Sequence, residues 1–241
     1  MPIKAIIFDV DGTLADTEDG HRKSFNKAFA ECGLEWNWDA ALYDKLLKVT
    51  GGKERIKHFV ETCLPDFGKP ADYEEFVKHL HQVKTGHYNA MLREGLIPLR
   101  PGIRQLILDA HANGILLAVS TTTSPENVAT LLEVGLGNNW ERHFAAIGCG
   151  DIVPHKKPAP DIYFWVLEKM GLPAADCIAL EDSENGLRSS LAAGIRTFVT
   201  LNRYTRHQDF SGAAGVFDDL SDLAYFYRVT GLPLPKPPIS V

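Results

Sequence analysis

Hydrophobic positions along the chain follow two rhythms. Residues 3–8 are a short β-branched and aromatic run closed by an Asp/Gly cluster, the pattern of a buried strand that ends in a loop. Over residues 16–96 the period lengthens. Phe25, Ala28, Phe29 and Cys32 fall at i, i+3, i+4 and i+7 before Gly33, and Tyr73, Phe76, Val77 and Leu80 carry that period toward Met91 and Leu92. This block is predicted to be all helical. From Gly102 onward short apolar runs return, with strands predicted at 115–119, 144–147, 177–180 and 197–200. Helices lie between them. Ser124 is placed to cap one, with Pro125 in its first turn and Gly135 as its expected stop; two more are expected over 161–170, before Gly171, and 183–193, before Gly194. Residues 95–102, with Pro98 and Pro101, read as a returning linker, and the Pro-rich stretch 233–238 as a packing strap.

Strand and helix in alternation predict an α/β fold with a mostly parallel, Rossmann-like sheet covered on both faces. The sheet domain is expected over 1–15 and 97–241, with 16–96 inserted as a helical domain. Composition agrees with a folded chain, at 45% hydrophobic and 23% charged residues. The longest apolar run, 162–167, is far short of the roughly 20 residues that cross a bilayer, so a membrane role is excluded. Lys plus Arg at 25 against Asp plus Glu at 31 gives 25 − 31 = −6, which disfavours nucleic acid as a partner. Cys32, Cys63, Cys149 and Cys177 show neither CxxC nor zinc spacing and read as reduced, buried thiols of a cytoplasmic protein. No targeting segment is evident at the amino terminus. The chain is expected to act as a monomer.

In an open α/β sheet, ligands sit beyond the carboxyl ends of the strands. Four clusters fall there. Asp9-Val10-Asp11-Gly12 puts two carboxylates on one side of an extended chain, each disfavouring ionisation of the other unless a cation intervenes. Four hydroxyls follow the second strand, Ser120 to Thr123; Lys156-Lys157-Pro158 precedes a helix; Glu181 and Asp182 follow the 177–180 strand. Taken singly these read as a turn cap, an ST-turn, surface lysines and helix N-terminal charges. Together at one rim they make hard oxygen ligands for a divalent cation, with hydroxyls and an ammonium for phosphoryl oxygens.

The strings Asp9-Val10-Asp11-Gly12-Thr13-Leu14, Lys157-Pro158-Ala159-Pro160-Asp161 and Leu180-Glu181-Asp182-Ser183 with Gly186, plus a Thr at a strand end, resemble the haloacid-dehalogenase (HAD) superfamily of phosphatases and phosphomutases along the whole chain. The resemblance implies Asp9 as nucleophile, forming an aspartyl phosphate, and Asp11 as the acid that protonates the leaving alcohol and then deprotonates water. It implies Mg²⁺ held by Asp9, the main-chain carbonyl of Asp11 and Asp182, with Glu181 acting through water. Thr121 takes the family's hydroxyl position, with Ser120 as the alternative; Thr122 offers a backbone N–H, and Lys157 is the family lysine.

The helical insertion matches the family's small cap, which closes over the site and reads the leaving group. Glu18, His21 and Arg22 follow the hinge. Thr50-Gly51-Gly52-Lys53-Glu54-Arg55 reads as a Gly-rich loop whose Lys53 or Arg55 meets a second anionic group, or else as a plain helix-joining loop with solvated charges. His21 reads equally as a polar residue of the first helix. Gly51 to Arg55, Ser120 to Val128, Gly150 to Pro154 and Lys156 to Tyr163 together closely resemble the CbbY family. That resemblance implies hydrolysis of the 1-phosphate of xylulose-1,5-bisphosphate, an inhibitor of the Calvin-cycle enzyme Rubisco. The rivals are β-phosphoglucomutase, which carries Lys-Asn where this chain has Ser124-Pro125, phosphoglycolate phosphatase, and, in another class, a non-catalytic sugar-phosphate-binding regulator.

Overall fold

Ala5, Ile6, Ile7 and Phe8 have no exposed surface, which is the environment of a strand buried on both faces. They form β1 (Ala5–Phe8) at the middle of a six-stranded sheet, in a computed structural model that describes residues 2–233. The other strands are β2 (Leu116–Ser120), β3 (Ala146–Gly148), β4 (Cys177–Glu181), β5 (Arg196–Thr200) and β6 (Gly215–Phe217), in the order β3-β2-β1-β4-β5-β6 with every neighbour parallel. Helices α5 (Ile103–Ala112), α6 (Pro125–Leu136), α7 (Asp161–Met170), α8 (Glu184–Ala192) and α9 (Leu223–Thr230) belong to this sheet unit. Ala5 and Ile7 share a buried cluster with Ala118, Ala179 and the α7 residues Ile162, Tyr163 and Val166. Ile6 and Phe8, on the alternate positions of β1, face the other way. Because β2 and β4 flank β1 on opposite sides, the connections diverge there and leave a crevice at its carboxyl end.

Three local expectations change. Gly135 does not stop α6; the helix runs to Leu136, and Gly137, at φ +89°, takes the left-handed position. Gly135 is required for close packing instead, since a Cβ there would lie 2.6 Å from Leu99. The strand β6 has no counterpart among the predicted elements. The four cysteines form no disulfide, but only Cys149 and Cys177 are buried; Cys63 closes an amphipathic helix on its solvent side and Cys32 is half-buried. The strap expected over 233–238 lies, apart from Pro233, outside the described residues. No helix among the described residues is long and apolar enough to cross a membrane.

The second unit, Thr17–Ile97, holds α1 (Glu18–Glu31), α2 (Ala40–Leu46), α3 (Gly52–Cys63) and α4 (Tyr73–Arg93). Its core is aromatic, with Trp38 4.5 Å from Phe25 and 5.0 Å from Phe29 between ring centres. The chain leaves and re-enters the sheet unit at one point. Ala15 bridges Leu99, the Arg100 N–H donates to Leu14 O at 2.8 Å, and the Arg100 guanidinium pairs with Asp16 at 3.3 Å. Asp16 is thus retained by the sheet unit, and the helical unit, Thr17–Ile97, begins and ends one residue later than the expected 16–96.

Candidate active site

β1 hands the chain directly to Asp9, whose N–H donates to Leu180 O at 2.9 Å. The turn that follows closes through Leu14 N to Val10 O at 2.9 Å and Gly12 N to Ala15 O at 2.8 Å. Gly12 sits at φ +87°, and a Cβ there would strike both Asp182 and Asn202, so only glycine lets this loop approach the end of β4. The Arg100 guanidinium, almost wholly buried, donates to Gly12 O, to Thr200 Oγ1 at 3.2 Å and to the carbonyls of Leu201 and Asp218. It ties the β1 turn to the ends of β5 and β6.

Lys157 reaches the same place from the loop before α7, with its three donors matched by three acceptors. Asp9 Oδ1 lies at 2.8 Å, Ser120 O at 2.7 Å and Glu181 Oε1 at 2.6 Å. Burial alone would lower the Lys157 pKa, but the facing charges of Asp9 and Glu181 reverse this and hold it above the ordinary ammonium range. Burial raises Asp9 well above the usual carboxylate range; Lys157 opposes that shift, and Glu181 and Asp11 add to it. The Tyr163 hydroxyl donates to the same Glu181 oxygen that receives Lys157, and burial followed by the nearby carboxylates raises its pKa too.

Asp9, Glu181 and Asp182 are all buried, and each offers an oxygen within 4.8 Å of the others. With all three ionised, these carboxylates against one ammonium would leave an excess of two negative charges where water cannot screen them, a repulsion that adds to burial in raising Asp9. Glu181 Oε2, buried, has no hydrogen-bond partner. Hard oxygen donors, that surplus on full ionisation and an unsatisfied buried oxygen fit a divalent cation. The Asp11 side chain stands apart from this trio and accepts a hydrogen bond from the Thr123 hydroxyl. Thr121, buried at the end of β2, accepts the Thr123 N–H on its hydroxyl at 3.2 Å. Thr122, half-buried, comes next in that loop, and Lys156 pairs with Asp151 at 3.1 Å.

In the helical unit, residues 50–55 are not a loop throughout. Gly51, at φ +99°, ends the connection, and Gly52 already opens α3, where a Cβ would press 2.6 Å from His81. Lys53 and Arg55 therefore sit in the first turn of a helix. Arg55 is turned inward, donating to Tyr43 Oη at 2.9 Å and lying 5.2 Å from the centre of that ring, while Tyr43 Oη donates to Glu18 at 2.8 Å. His21 is buried, stacked on Tyr88 at 4.0 Å with Nδ1 2.7 Å from Lys84 Nζ.

Sequence reasoning gave no role to Tyr163, Asn202, Arg100 or Lys84, and none to Thr123 beyond its place in the hydroxyl run 120–123. Thr123 and Tyr163 lay inside recognised strings, so their presence was visible and their partners were not. Asn202 follows β5 without any motif.

A model of the haloacid dehalogenase-like hydrolases matches residues 3–194. The CbbY protein of Cupriavidus necator is 49% identical over 222 residues, spanning 92% of this chain and 87% of its own. A crystal structure of CbbY from Rhodobacter sphaeroides with phosphate superposes at a TM-score of 0.85 with 46% identity, covering 92% of this chain and 96% of that one. A mutant of the same protein, at TM-score 0.85 and 45% identity over the same shares, was solved in complex with xylulose-(1,5)bisphosphate.

Proposed function

This chain belongs to the haloacid dehalogenase-like hydrolases and, within them, to the CbbY family; it is a phosphoric monoester hydrolase, and from that premise we propose that it converts xylulose-1,5-bisphosphate to xylulose 5-phosphate. In that reading it clears an inhibitor of Rubisco and serves the Calvin cycle. The bisphosphate held by the Rhodobacter relative supports the substrate, and the buried group of Asp9, Lys157, Glu181 and Asp182 supports the chemistry.

Lys157 holds Asp9 Oδ1, so Oδ2 is the oxygen that attacks phosphorus. As the sugar C–O–P bond breaks at phosphorus, the leaving oxygen takes a proton from Asp11, whose carboxyl the Thr123 hydroxyl orients. Asp11, now a base, removes a proton from water, which attacks the aspartyl phosphate and returns Asp9 as carboxylate. The Thr121 hydroxyl and the Thr122 N–H donate to phosphoryl oxygens. Asp9, Asp182 and the Asp11 carbonyl are the ligands we assign to Mg²⁺, with Glu181 behind them; the bound ion supplies countercharge to the phosphoryl group. Positioning and charge neutralisation carry the acceleration.

Glu18, His21, Gly52 and Lys53 are the residues of the helical unit we assign to the sugar and its second phosphate. Arg55 supports them by holding Tyr43 and through it Glu18. The four free thiols fit a cytoplasmic setting.

The test is phosphate release with Mg²⁺ from xylulose-1,5-bisphosphate, ribulose-1,5-bisphosphate, β-glucose 1-phosphate and phosphoglycolate, with EDTA as control. A strong preference for the first supports the proposal, and equal slow release from all four removes the substrate assignment. Asp9→Asn is expected to abolish turnover, and full activity in that variant would sink the mechanism. Lys53→Ala is expected to raise KM for the bisphosphate more than for a monophosphate.

A further inference from the structure

The carboxylate of Asp182 is held from behind by a side chain that belongs to none of the recognised motifs. Asn202 follows β5 by two residues and is buried. Its Oδ1 accepts the Tyr204 N–H at 2.8 Å and the Thr205 N–H at 3.2 Å. Two backbone donors on one atom decide which way the carboxamide points: oxygen toward the 202–205 turn, nitrogen away from it. The nitrogen, Nδ2, donates to Asp182 Oδ2.

The backbone beneath Asn202 is equally constrained. Arg100 grips Thr200 Oγ1 and Leu201 O just before it, and Arg206 N donates to Asn202 O at 3.1 Å just after it. Gly12 lies against Asp182 and Asn202 together, since a Cβ at residue 12 would strike both side chains. The carboxamide therefore has neither a rotamer to move to nor a flipped state to adopt.

The geometry points to Asn202 as a positioning residue for the cation site: it fixes the rotation of the Asp182 carboxylate and occupies a lone pair of Oδ2, so that the group faces Asp9 and Glu181. The inference rests on the divalent-cation reading of those three carboxylates. Hydrogen-bond donors behind metal ligands set affinity, and their loss typically weakens binding by about 10- to 100-fold.

Two substitutions separate positioning from folding. Asn202→Asp keeps an oxygen for the Tyr204 and Thr205 N–H groups but sets a like charge against Asp182 in place of a donor. Asn202→Ala removes both functions. The probe is Mn²⁺, titrated by EPR into the phosphate-free full chain, with melting temperatures recorded without metal. We expect both variants to melt below wild type without metal, Asn202→Ala through its lost hydrogen bonds and Asn202→Asp through an added buried carboxylate against Asp182, while both, folded at the titration temperature, bind Mn²⁺ at least about tenfold more weakly. The Mn²⁺ concentration for half-maximal activity shifts in step, and turnover recovers at saturating metal. A purely structural Asn202 would lower the melting temperature of the alanine variant and leave the Mn²⁺ affinity of the folded protein unchanged. Wild-type or tighter Mn²⁺ binding by Asn202→Asp overturns the inference. Failure of the wild-type chain to bind Mn²⁺ overturns both it and the cation reading.

Discussion

Gly186→Ala should weaken a helix that the same substitution ordinarily strengthens. Gly186 occupies the first turn of α8, its N–H donating to the capping Ser183 hydroxyl at 3.2 Å. At an unencumbered helical site, alanine gains about 1 kcal/mol over glycine through lower backbone entropy in the unfolded chain. Here the three atoms nearest an added Cβ all belong to the Glu181 carboxyl group, and the contact is far inside van der Waals distance. Glu181 cannot swing aside into water, because it is fully buried and held by Lys157 at 2.6 Å and by Tyr163. Either α8 lifts from β4, an overpacking cost of about 1–3 kcal/mol, or Glu181 is pushed off Lys157. Outright loss of a buried ion-pair partner costs about 3–5 kcal/mol. Set against the helix gain, the expected balance is a loss of about 2 kcal/mol, which lowers Tm by roughly 4–8 °C at this chain length. Phosphate release should fall at least about tenfold, since Lys157 loses the carboxylate that aims it. Gly86, exposed within α4 with nothing within 4 Å of its would-be Cβ, is the control; Gly86→Ala should gain about 0.5–1 kcal/mol. Calorimetry and initial rates on the two variants settle the matter. A Gly186→Ala protein as stable and as active as wild type would refute the reasoning.

Arg100→Met should strip the donors from the carbonyls of Gly12, Leu201 and Asp218, costing about 3 kcal/mol by urea unfolding and most of the turnover; a loss below about 1 kcal/mol would contradict the staple role. His143, in the 3-10 turn Trp140–His143, has its pKa lowered from 6.5, first by burial and then by His111 and Arg142. A depressed folded-state pKa means that the neutral ring stabilises the fold above the unfolded value and that this contribution is lost as pH falls below it. Urea midpoints should therefore drop between pH 7.5 and 5, and by less in His143→Gln; equal slopes in the two proteins would remove His143 as the cause.

The elements legible in the chain were those whose local pattern and tertiary environment agree. β1, β2 and β4 are nearly continuous apolar runs because both faces of a parallel sheet are covered, β5 shows through the β-branched and aromatic residues of Thr197 to Thr200, and α7 runs over the predicted 161–170 because Gly171 supplies a left-handed stop at φ +64°. Gly-Val-Phe of β6 is too short to display a period, and its Val216 is half exposed at the sheet edge. Gly135 misled because two glycines two residues apart serve different needs, close packing at one and the helix stop at the other. The same division holds at the site. Asp9, Asp11, Glu181 and Asp182 stand where β1 and β4 end, so chain position alone brings them to one rim, and Lys157 joins them from the loop before α7. What each of them touches is set by loops far apart in sequence: Thr123 reaches Asp11 across 112 residues and Arg100 reaches Gly12 across 88. No local pattern encodes such pairs.

The bridge between Ala15 and Leu99, closed by the Arg100 N–H on Leu14, works as a doorway in the sheet unit. Its two jambs hydrogen-bond to each other, so the chain that goes out between them has no part in keeping them together. Because the entropy of joining two ends grows only with the logarithm of the length between them, lengthening or rebuilding the excursion is nearly neutral for the sheet. Mutation is therefore free to redraw what lies beyond the doorway, and with it, under the function proposed above, the choice of sugar phosphate, while the buried carboxylates and Lys157 keep their places in the sheet unit.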